Sequence, residues 1–167
     1  MECIFCEIAK NPGTAHTIWE DERHIAFLSI YPNTPGFTVV IPRQHHGSYA
    51  FEQSDTILCE LVIAAKKTAT LLDKALSSVA RTGMIFEGYG VDHLHAKLFP
   101  MHGTGSDSRF QKISSNNDKF FDSYEGYISS HDGMRAQDKD LAELAAHIKS
   151  FNASSRTHHQ SESIIAP

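Results

Sequence analysis

The sequence predicts an α+β fold with about five antiparallel strands in one sheet, one long helix that covers the sheet, and a C-terminal helical extension. Three observations lead to this prediction. Short β-branched or alternating segments are separated by turn residues, a long segment carries apolar residues at helical spacing, and a shorter segment near the C-terminus does the same. With 167 residues, the chain is long enough to bury the core of one domain without disulfides.

The predicted strands are short. They are placed over residues 17–20, 24–30, 37–41, 82–87 and 92–99. The polar segment 21–23 joins the first two strands as a hairpin with a longer loop, and Pro42 ends the third strand because proline cannot donate a hydrogen bond to a neighbouring strand. This hairpin makes the first two strands antiparallel neighbours.

Two amphipathic helices are predicted. The longer one covers residues 56–76 and is capped by Ser54 or Asp55. Its apolar residues recur at the spacing of one helical face: Leu58, Leu61, Val62, Ala65, Ala69 and Leu72. The shorter helix covers residues 138–151, and a brief helical turn after Cys3 ends near Ala9.

The organisation predicted along the chain is one domain over residues 1–151. Its core lies within residues 3–103, and residues 104–151 form a C-terminal extension. The extension begins with a polar loop, which is followed by an irregular lid that contains aromatic residues (119–130). The Ser-rich segment 152–167 has too few periodic apolar residues to pack, so we expect a disordered tail there.

The overall charge excludes some classes of partner. A net charge of −5 argues against broad electrostatic binding to nucleic acid or to an anionic membrane. No apolar run approaches the roughly 20 residues of a membrane span, and the N-terminus lacks the pattern of a signal peptide. The 3 cysteines suit a reducing compartment better than a disulfide framework. We therefore expect a cytoplasmic protein.

The most informative segment is 91–100, in which His93, His95 and Lys97 occupy every second position among apolar residues. In a strand, successive side chains point to opposite faces, so these three would form a polar row that can meet an anion. An ordinary strand with one face in water alternates in the same way. The nearby loop with Gly88 and Gly90, where backbone could approach a ligand closely, favours a site.

The N-terminal cysteines suggest a metal site. Cys3 and Cys6 have the spacing of a zinc knuckle, which supplies two of four tetrahedral ligands. His45 and His93 are the best candidates for the other two, and such a structural zinc would tie the N-terminus to the polar row. The alternative is a pair of reduced cysteines with no metal. No organic cofactor is expected.

His95 is the candidate nucleophile. A neutral imidazole with a pKa near 6.5 is a usable nucleophile at pH 7, and its attack on phosphorus would leave a phosphoramidate that water can cleave. A carbonyl or a second histidine must then bind the proton on the other ring nitrogen. His102 is either a substrate ligand in a loop or a solvated side chain.

Several motifs in a fixed order resemble the histidine triad (HIT) superfamily of nucleotide hydrolases and transferases. They are Cys3-Ile4-Phe5-Cys6-Glu7-Ile8, Trp19-Glu20-Asp21, Ala26-Phe27-Leu28, Val40-Ile41-Pro42-Arg43-Gln44-His45 and His93-Leu94-His95. The resemblance covers residues 3–100. It implies a HIT-like α+β fold with an antiparallel sheet, frequent homodimers and a nucleotide substrate. It also implies attack on the α-phosphate by the middle histidine, which by position is His95.

The chain departs from the family pattern at positions that matter for function. Lys97 replaces the third histidine, and Ser29 stands where many members carry the aspartate that holds the ribose hydroxyls. Phe86 and Gly90 replace an asparagine and a serine near the phosphate. The resemblance therefore implies that His95, His93 and Lys97 do the chemistry. It also implies substrate binding by a second group of residues: Phe27, Ser29, Gly88, Gly90 and His102.

Three functions are compatible with these residues. The leading hypothesis is a nucleotide phosphohydrolase or nucleotidyl transferase that acts on a phosphoanhydride or phosphoramidate bond through a nucleotidyl intermediate on His95. The second is a non-catalytic nucleotide-binding or sensing protein that lost turnover with the third histidine. The third is a zinc-dependent hydrolase with its metal on His93 and His95. This alternative is disfavoured because a cysteine-rich zinc site usually has four protein ligands, whereas a catalytic zinc keeps one position open for water.

Overall fold

The computed structural model describes residues 3–105 and 135–153. The helices are α1 (Ile4–Lys10), α2 (Asp55–Ala75) and α3 (Asp138–Ala153), and the strands are β1 (Thr17–Glu20), β2 (His24–Leu28), β3 (Thr38–Pro42), β4 (Val79–Ile85) and β5 (Ala96–His102). The five strands form one sheet in the order β1-β2-β3-β5-β4, and every neighbouring pair is antiparallel. The predicted α+β class and five-stranded antiparallel sheet are confirmed.

The two faces of the sheet are covered differently. The long helix α2 lies on one face, where its residues Leu61 and Leu72 are fully buried together with Leu94 and Leu98 from the segment that contains β5. The other face carries a smaller apolar cluster from β2 and β3, against which α1 packs. The main core therefore anchors β5 from one side and leaves its opposite face to the short N-terminal helix.

Helix α2 starts as its cap predicts. The Ser54 hydroxyl oxygen accepts a hydrogen bond from the backbone N–H of Ile57, which satisfies one of the helix's unpaired N-terminal donors. The final helix α3 also forms where the sequence predicts it, with Ile148 fully buried in the main core. The C-terminal helical extension thus completes the same core as α2.

Strand β5 begins later than the sequence predicts, at Ala96 rather than at Asp92. The backbone before it bonds to a loop: the N–H of Leu94 donates to the carbonyl of His46, and that of His93 donates to the carbonyl of Val91. His93 and His95 therefore precede the regular strand. The side chains nevertheless alternate as predicted.

Strand β4 is displaced toward the N-terminus relative to its prediction over residues 82–87. It pairs from Val79 opposite His102 to Ile85 opposite Lys97. The positive φ of Gly88 marks the turn away from the ladder, which leaves Glu87 beyond the last paired residue. This displacement brings an acidic side chain to the end of the sheet.

The predicted lid (119–130), most of the polar loop before it and residues 154–167 of the predicted tail lie outside the described residues, so these features stay predictions, as does the division into core and extension. The prediction that the tail begins at residue 152 is wrong, because Asn152 and Ala153 are the last residues of α3. None of the helices in the described ranges is long and apolar enough to cross a membrane.

Candidate active site and metal cluster

The strand register defines the sheet face that carries the candidate catalytic residues. Phe27 pairs with Val39, Val39 pairs with Lys97, and Lys97 pairs with Ile85, so these four side chains share one face in a row across the sheet. His95 lies two residues before Lys97 and therefore stands on the same face. The nucleophile candidate thus borders an apolar surface on one side and a lysine on the other.

His93 and His95 are more buried than the sequence suggests. An exposed polar row was expected, but the residues are 0% and 3% exposed, respectively. The cause is Phe5 of α1, whose ring makes edge-on contacts with both imidazoles at centroid distances of 5.9 and 5.4 Å. The two histidines of the polar row are therefore covered, whereas the side chain of Lys97 stays 13% exposed.

The ring of His95 is oriented for nucleophilic attack. Its Nδ1 lies 2.7 Å from the carbonyl oxygen of His93. Because a carbonyl only accepts, Nδ1 must carry the proton and donate it, which leaves Nε2 with a free lone pair. Burial lowers the pKa of His95 below its usual 6.5 and so favours the neutral, nucleophilic ring at neutral pH.

Four potential metal ligands converge next to this ring. The donor atoms of Cys3, Cys6, His45 and His93 all lie within 4.8 Å of one another. Nδ1 of His93 is 3.5 Å from each cysteine sulfur, and Nδ1 of His45 is 3.3 Å from that of Cys6. The structure brings together the four residues that the sequence proposes as one metal site.

The donor set fits zinc. Zn–S and Zn–N bonds of about 2.3 and 2.0 Å in a tetrahedron imply sulfur–nitrogen separations near 3.5 Å, close to those found here. Nε2 of His93 lies 2.9 Å from the carbonyl oxygen of Pro42, so Nε2 carries the proton and Nδ1 offers its lone pair to the cluster. Partial burial and the adjacent Cys3 raise the pKa of the Cys6 thiol, and a bound cation would favour its thiolate.

Lys97 has an acidic partner that sequence analysis missed. Its Nζ lies 2.5 Å from Oε2 of Glu87, and the two side chains are only 13% and 14% exposed. Lys97 is therefore part of an ion pair beside His95 and not a lone cation. Glu87 could have been found from the sequence only by fixing the register of β4 against β5.

The loop that contains Gly88 and Gly90 packs against the upstream loop that contains His45 and Ser48. Gly88 and Gly90 both adopt positive φ, a backbone conformation that glycine adopts without the steric cost that a side chain would add. A Cβ on Gly88 would lie 3.5 Å from the carbonyl oxygen of Ser48, and the carboxylate of Asp92 accepts a hydrogen bond from the Ser48 N–H. That bond lowers the pKa of Asp92. These contacts hold the two loops together at the His95 end of β5.

The remaining predicted substrate-binding residues are dispersed. Phe27 lies on the catalytic face and packs edge-on against Phe5 at 5.6 Å. Ser29 follows β2, and its hydroxyl accepts the N–H of Tyr31. His102 is seven residues beyond His95, about 20 Å along a strand, and its ring nitrogens contact Ser78 and the carbonyl of Pro35. The structure does not bring His102 to His95.

A comparison with protein families shows which family the chain belongs to. The model of the HIT domain matches residues 11–104, which is more than half of the chain. The chain belongs to the HIT family. This membership confirms the resemblance found in the ordered motifs.

Individual HIT proteins are similar over most of their length. An uncharacterized HIT-like protein of Methanocaldococcus jannaschii is 32% identical over 118 residues, covering 68% of this chain and 90% of that protein. The adenosine 5′-monophosphoramidase of Schizosaccharomyces pombe is 29% identical over 100 residues, covering 60% and 74%. A Zn-bound histidine triad family protein from Mycobacterium smegmatis has the same fold, with a TM-score of 0.64 at 20% identity, covering 95% and 98%.

Proposed function

We propose that this HIT protein is a hydrolase or nucleotidyl transferase that acts at the α-phosphate of a nucleotide through a covalent intermediate on His95. The observation that carries the proposal is the bond from Nδ1 of His95 to the carbonyl of His93, because in the neutral ring it puts the proton on Nδ1 and the lone pair of a nucleophile on Nε2. The phosphoramidase activity named for the Schizosaccharomyces pombe relative supports a phosphoramidate as one substrate class.

The proposed reaction has two displacements. In the first, the Nε2 lone pair forms a bond to the α-phosphorus, and the bond from phosphorus to the leaving nitrogen or oxygen breaks with its electron pair. That atom takes up a proton from water when it leaves as an amine. In the second, water attacks phosphorus, the P–Nε2 bond returns its electron pair to His95, and the water's proton passes to solvent.

The protein's own residues supply orientation and charge. The carbonyl of His93 can stabilise the positive charge that His95 acquires when it bonds to phosphorus, because the Nδ1–H donates to it at 2.7 Å. Lys97 would donate hydrogen bonds to the phosphate oxygens from its place on the same sheet face. The apolar surface formed by Phe5 and Phe27 is the natural place for the base of the nucleotide.

A structural zinc is part of this proposal. Cys3, Cys6, His45 and His93 would hold it, and four protein donors of this kind are the usual full ligand set of a structural zinc. His95 contributes no donor to the cluster, so the geometry gives no support to the alternative of catalytic zinc on His93 and His95. The zinc would anchor α1, and with it Phe5, against the catalytic face.

The direct test is incubation with adenosine 5′-phosphoramidate and, separately, with a diadenosine polyphosphate, while release of adenosine monophosphate is followed. Release from either substrate supports the enzyme. Binding without release would favour the sensing protein, in which the pocket persists without turnover. The expected homodimer and cytoplasmic location stay predictions.

Lys97→Ala should lower kcat by a factor of about 10²–10³, as loss of a preorganised donor does in other enzymes. Lys97→Arg should recover part of the loss because it keeps the charge and changes only the geometry. The matched control is Lys67→Ala on α2, a lysine that lies over Trp19 on the opposite face of the sheet. Equal rates for wild type and Lys97→Ala would show that Lys97 takes no part in the reaction.

A further inference from the structure

His102, which the proposed reaction does not use, belongs to a second arrangement of polar groups at the C-terminal end of β5. Its Nε2 lies 2.8 Å from the carbonyl oxygen of Pro35, and its Nδ1 lies 2.7 Å from the hydroxyl oxygen of Ser78. Because a carbonyl only accepts, Nε2 carries the proton of the neutral ring and donates it. Nδ1 therefore holds the lone pair, and the Ser78 hydroxyl donates its proton to it.

The local backbone places Ser78 on a tight turn between α2 and β4. The N–H of Val79 donates to the carbonyl of Leu76 at 2.9 Å, so Ser77 and Ser78 are the two central residues of a β-turn. Val79 then pairs with His102 where β4 begins. The turn and the strand register together bring the serine hydroxyl to the imidazole.

The bond between Ser78 and His102 is not needed to hold the turn. The backbone bond from Val79 to Leu76 closes it, and the pairing of β4 with β5 fixes the segment that follows. A single hydrogen bond contributes only about 0.5–1.5 kcal/mol to stability. Both Ser78 and His102 are exposed, so a reactant can approach the serine oxygen without any rearrangement of the fold.

The arrangement contains the parts of an activated serine nucleophile. A serine hydroxyl attacks well only when an adjacent base takes its proton, and that base is itself oriented by a third group. Here the base is the imidazole of His102, and the carbonyl of Pro35 fixes its tautomer and orientation. The backbone N–H of Ser78 donates to none of the described residues, so it can donate to the oxygen anion that forms when the hydroxyl attacks a carbonyl.

We propose that Ser78 is a second nucleophilic site of this protein, which accepts acyl groups from activated esters with His102 as its general base. The site is separate from the nucleotide site, because His102 is seven residues beyond His95, about 20 Å along a strand. The inference therefore does not depend on the proposed function.

The proposed acylation is one addition followed by one elimination. The Oγ atom of Ser78 forms a bond to the carbonyl carbon of the ester, and its proton passes to Nδ1 of His102. The bond from that carbon to the leaving oxygen then breaks with its electron pair, and the leaving oxygen takes the proton from Nδ1. The products are an O-acyl serine and an alcohol or phenol, and the imidazole is again neutral.

The test treats the full-length protein with 4-nitrophenyl acetate and follows the acetyl group on each serine by tandem mass spectrometry. Ser77 is the internal control, because it is the other central residue of the same turn and is also exposed, while its hydroxyl bonds to none of the described residues. Ser78 should be acetylated about 10² times faster than Ser77, since a positioned general base contributes about 10²–10⁴ to a rate.

His102→Gln tests the role of the base. The glutamine amide can take the place of Nε2–H and keep the bond to the carbonyl of Pro35, but it has no basic nitrogen to accept the serine proton. Acetylation of Ser78 should slow by about 10², and that of Ser77 should not change. The matched control is His147→Gln, in which the lost histidine also bonds a backbone carbonyl through Nε2 but lies on α3. It should leave both rates unchanged.

The outcomes decide the proposal without reference to turnover of nucleotides. Fast acetylation of Ser78 in wild type, together with its loss in His102→Gln, supports the proposal. Equal rates at Ser77 and Ser78 in wild type would overturn it, and that comparison needs no variant to fold. An unchanged rate at Ser78 in His102→Gln would also overturn it, because the hydroxyl would then react without the base.

Discussion

His95→Asn should abolish turnover, with a loss in kcat of at least about 10⁴, because an asparagine amide cannot form the covalent bond to phosphorus. Asparagine is the informative replacement, since its amide N–H can take the place of Nδ1–H and keep the bond to the carbonyl of His93. Only the nucleophilic Nε2 is then lost. Alanine would also leave a cavity, because His95 is only 3% exposed.

His95→Asn should lower the rate of the chemical step without changing folding or nucleotide binding. The melting temperature and the affinity for adenosine monophosphate should stay close to those of wild type. His147→Gln is a suitable control, because this histidine bonds the backbone carbonyl of Ala75 through Nε2, a place that a glutamine amide can take, and it lies on α3 away from the catalytic face. Turnover by the His95 variant within tenfold of wild type would rule out a covalent step on this residue.

Loss of the zinc ligands should have the largest effect on stability. Zinc analysis of protein purified without chelator should find about one ion per chain, and Cys6→Ser should lower both the zinc content and the melting temperature. Structural zinc in small domains contributes of order 10 kcal/mol. If the variant loses even a third of that, the melting temperature should fall by roughly 10 °C for a domain of this size.

The control for Cys6→Ser is Cys59→Ser, which removes an exposed cysteine outside the cluster and should change neither property. Turnover of Cys6→Ser should fall less than that of His95→Asn, because the ion positions α1 and makes no bond to the reacting phosphate. A wild type that is free of metal and as stable as its cysteine variants would show that the Cys-x-x-Cys spacing is incidental.

The elements whose patterns are local could be predicted from the sequence. Helix α2 has a capping serine and a continuous apolar face, and α3 begins at Asp138 as expected. The metal cluster could also be predicted, because the sequence shows the cysteine spacing, a histidine after β3 and a histidine before β5. The grouping of Cys3 with His93 was proposed from the residue types, since the two cysteines need two more ligands, and the packing of α1 on the sheet brings these residues together.

Features that depend on long-range packing could not be predicted. The burial of His95 arises from Phe5, which is 90 positions away in the chain and reaches the ring only once α1 packs on the sheet. Glu87 escaped notice because its contact with Lys97 depends on where β4 ends, and the sequence placed that strand too late. Periodicity defines which residues share a face but does not define what covers that face.

The central claim is that His95 becomes covalently bonded to the nucleotide, and the stereochemical course at phosphorus tests it most directly. A single diastereomer of an adenosine phosphoramidate with one sulfur on phosphorus is hydrolysed in water enriched in ¹⁸O, and the configuration of the product is determined. Two successive in-line displacements, the first by His95 and the second by water, predict retention. Inversion would mean that water attacks the nucleotide directly and would contradict the account.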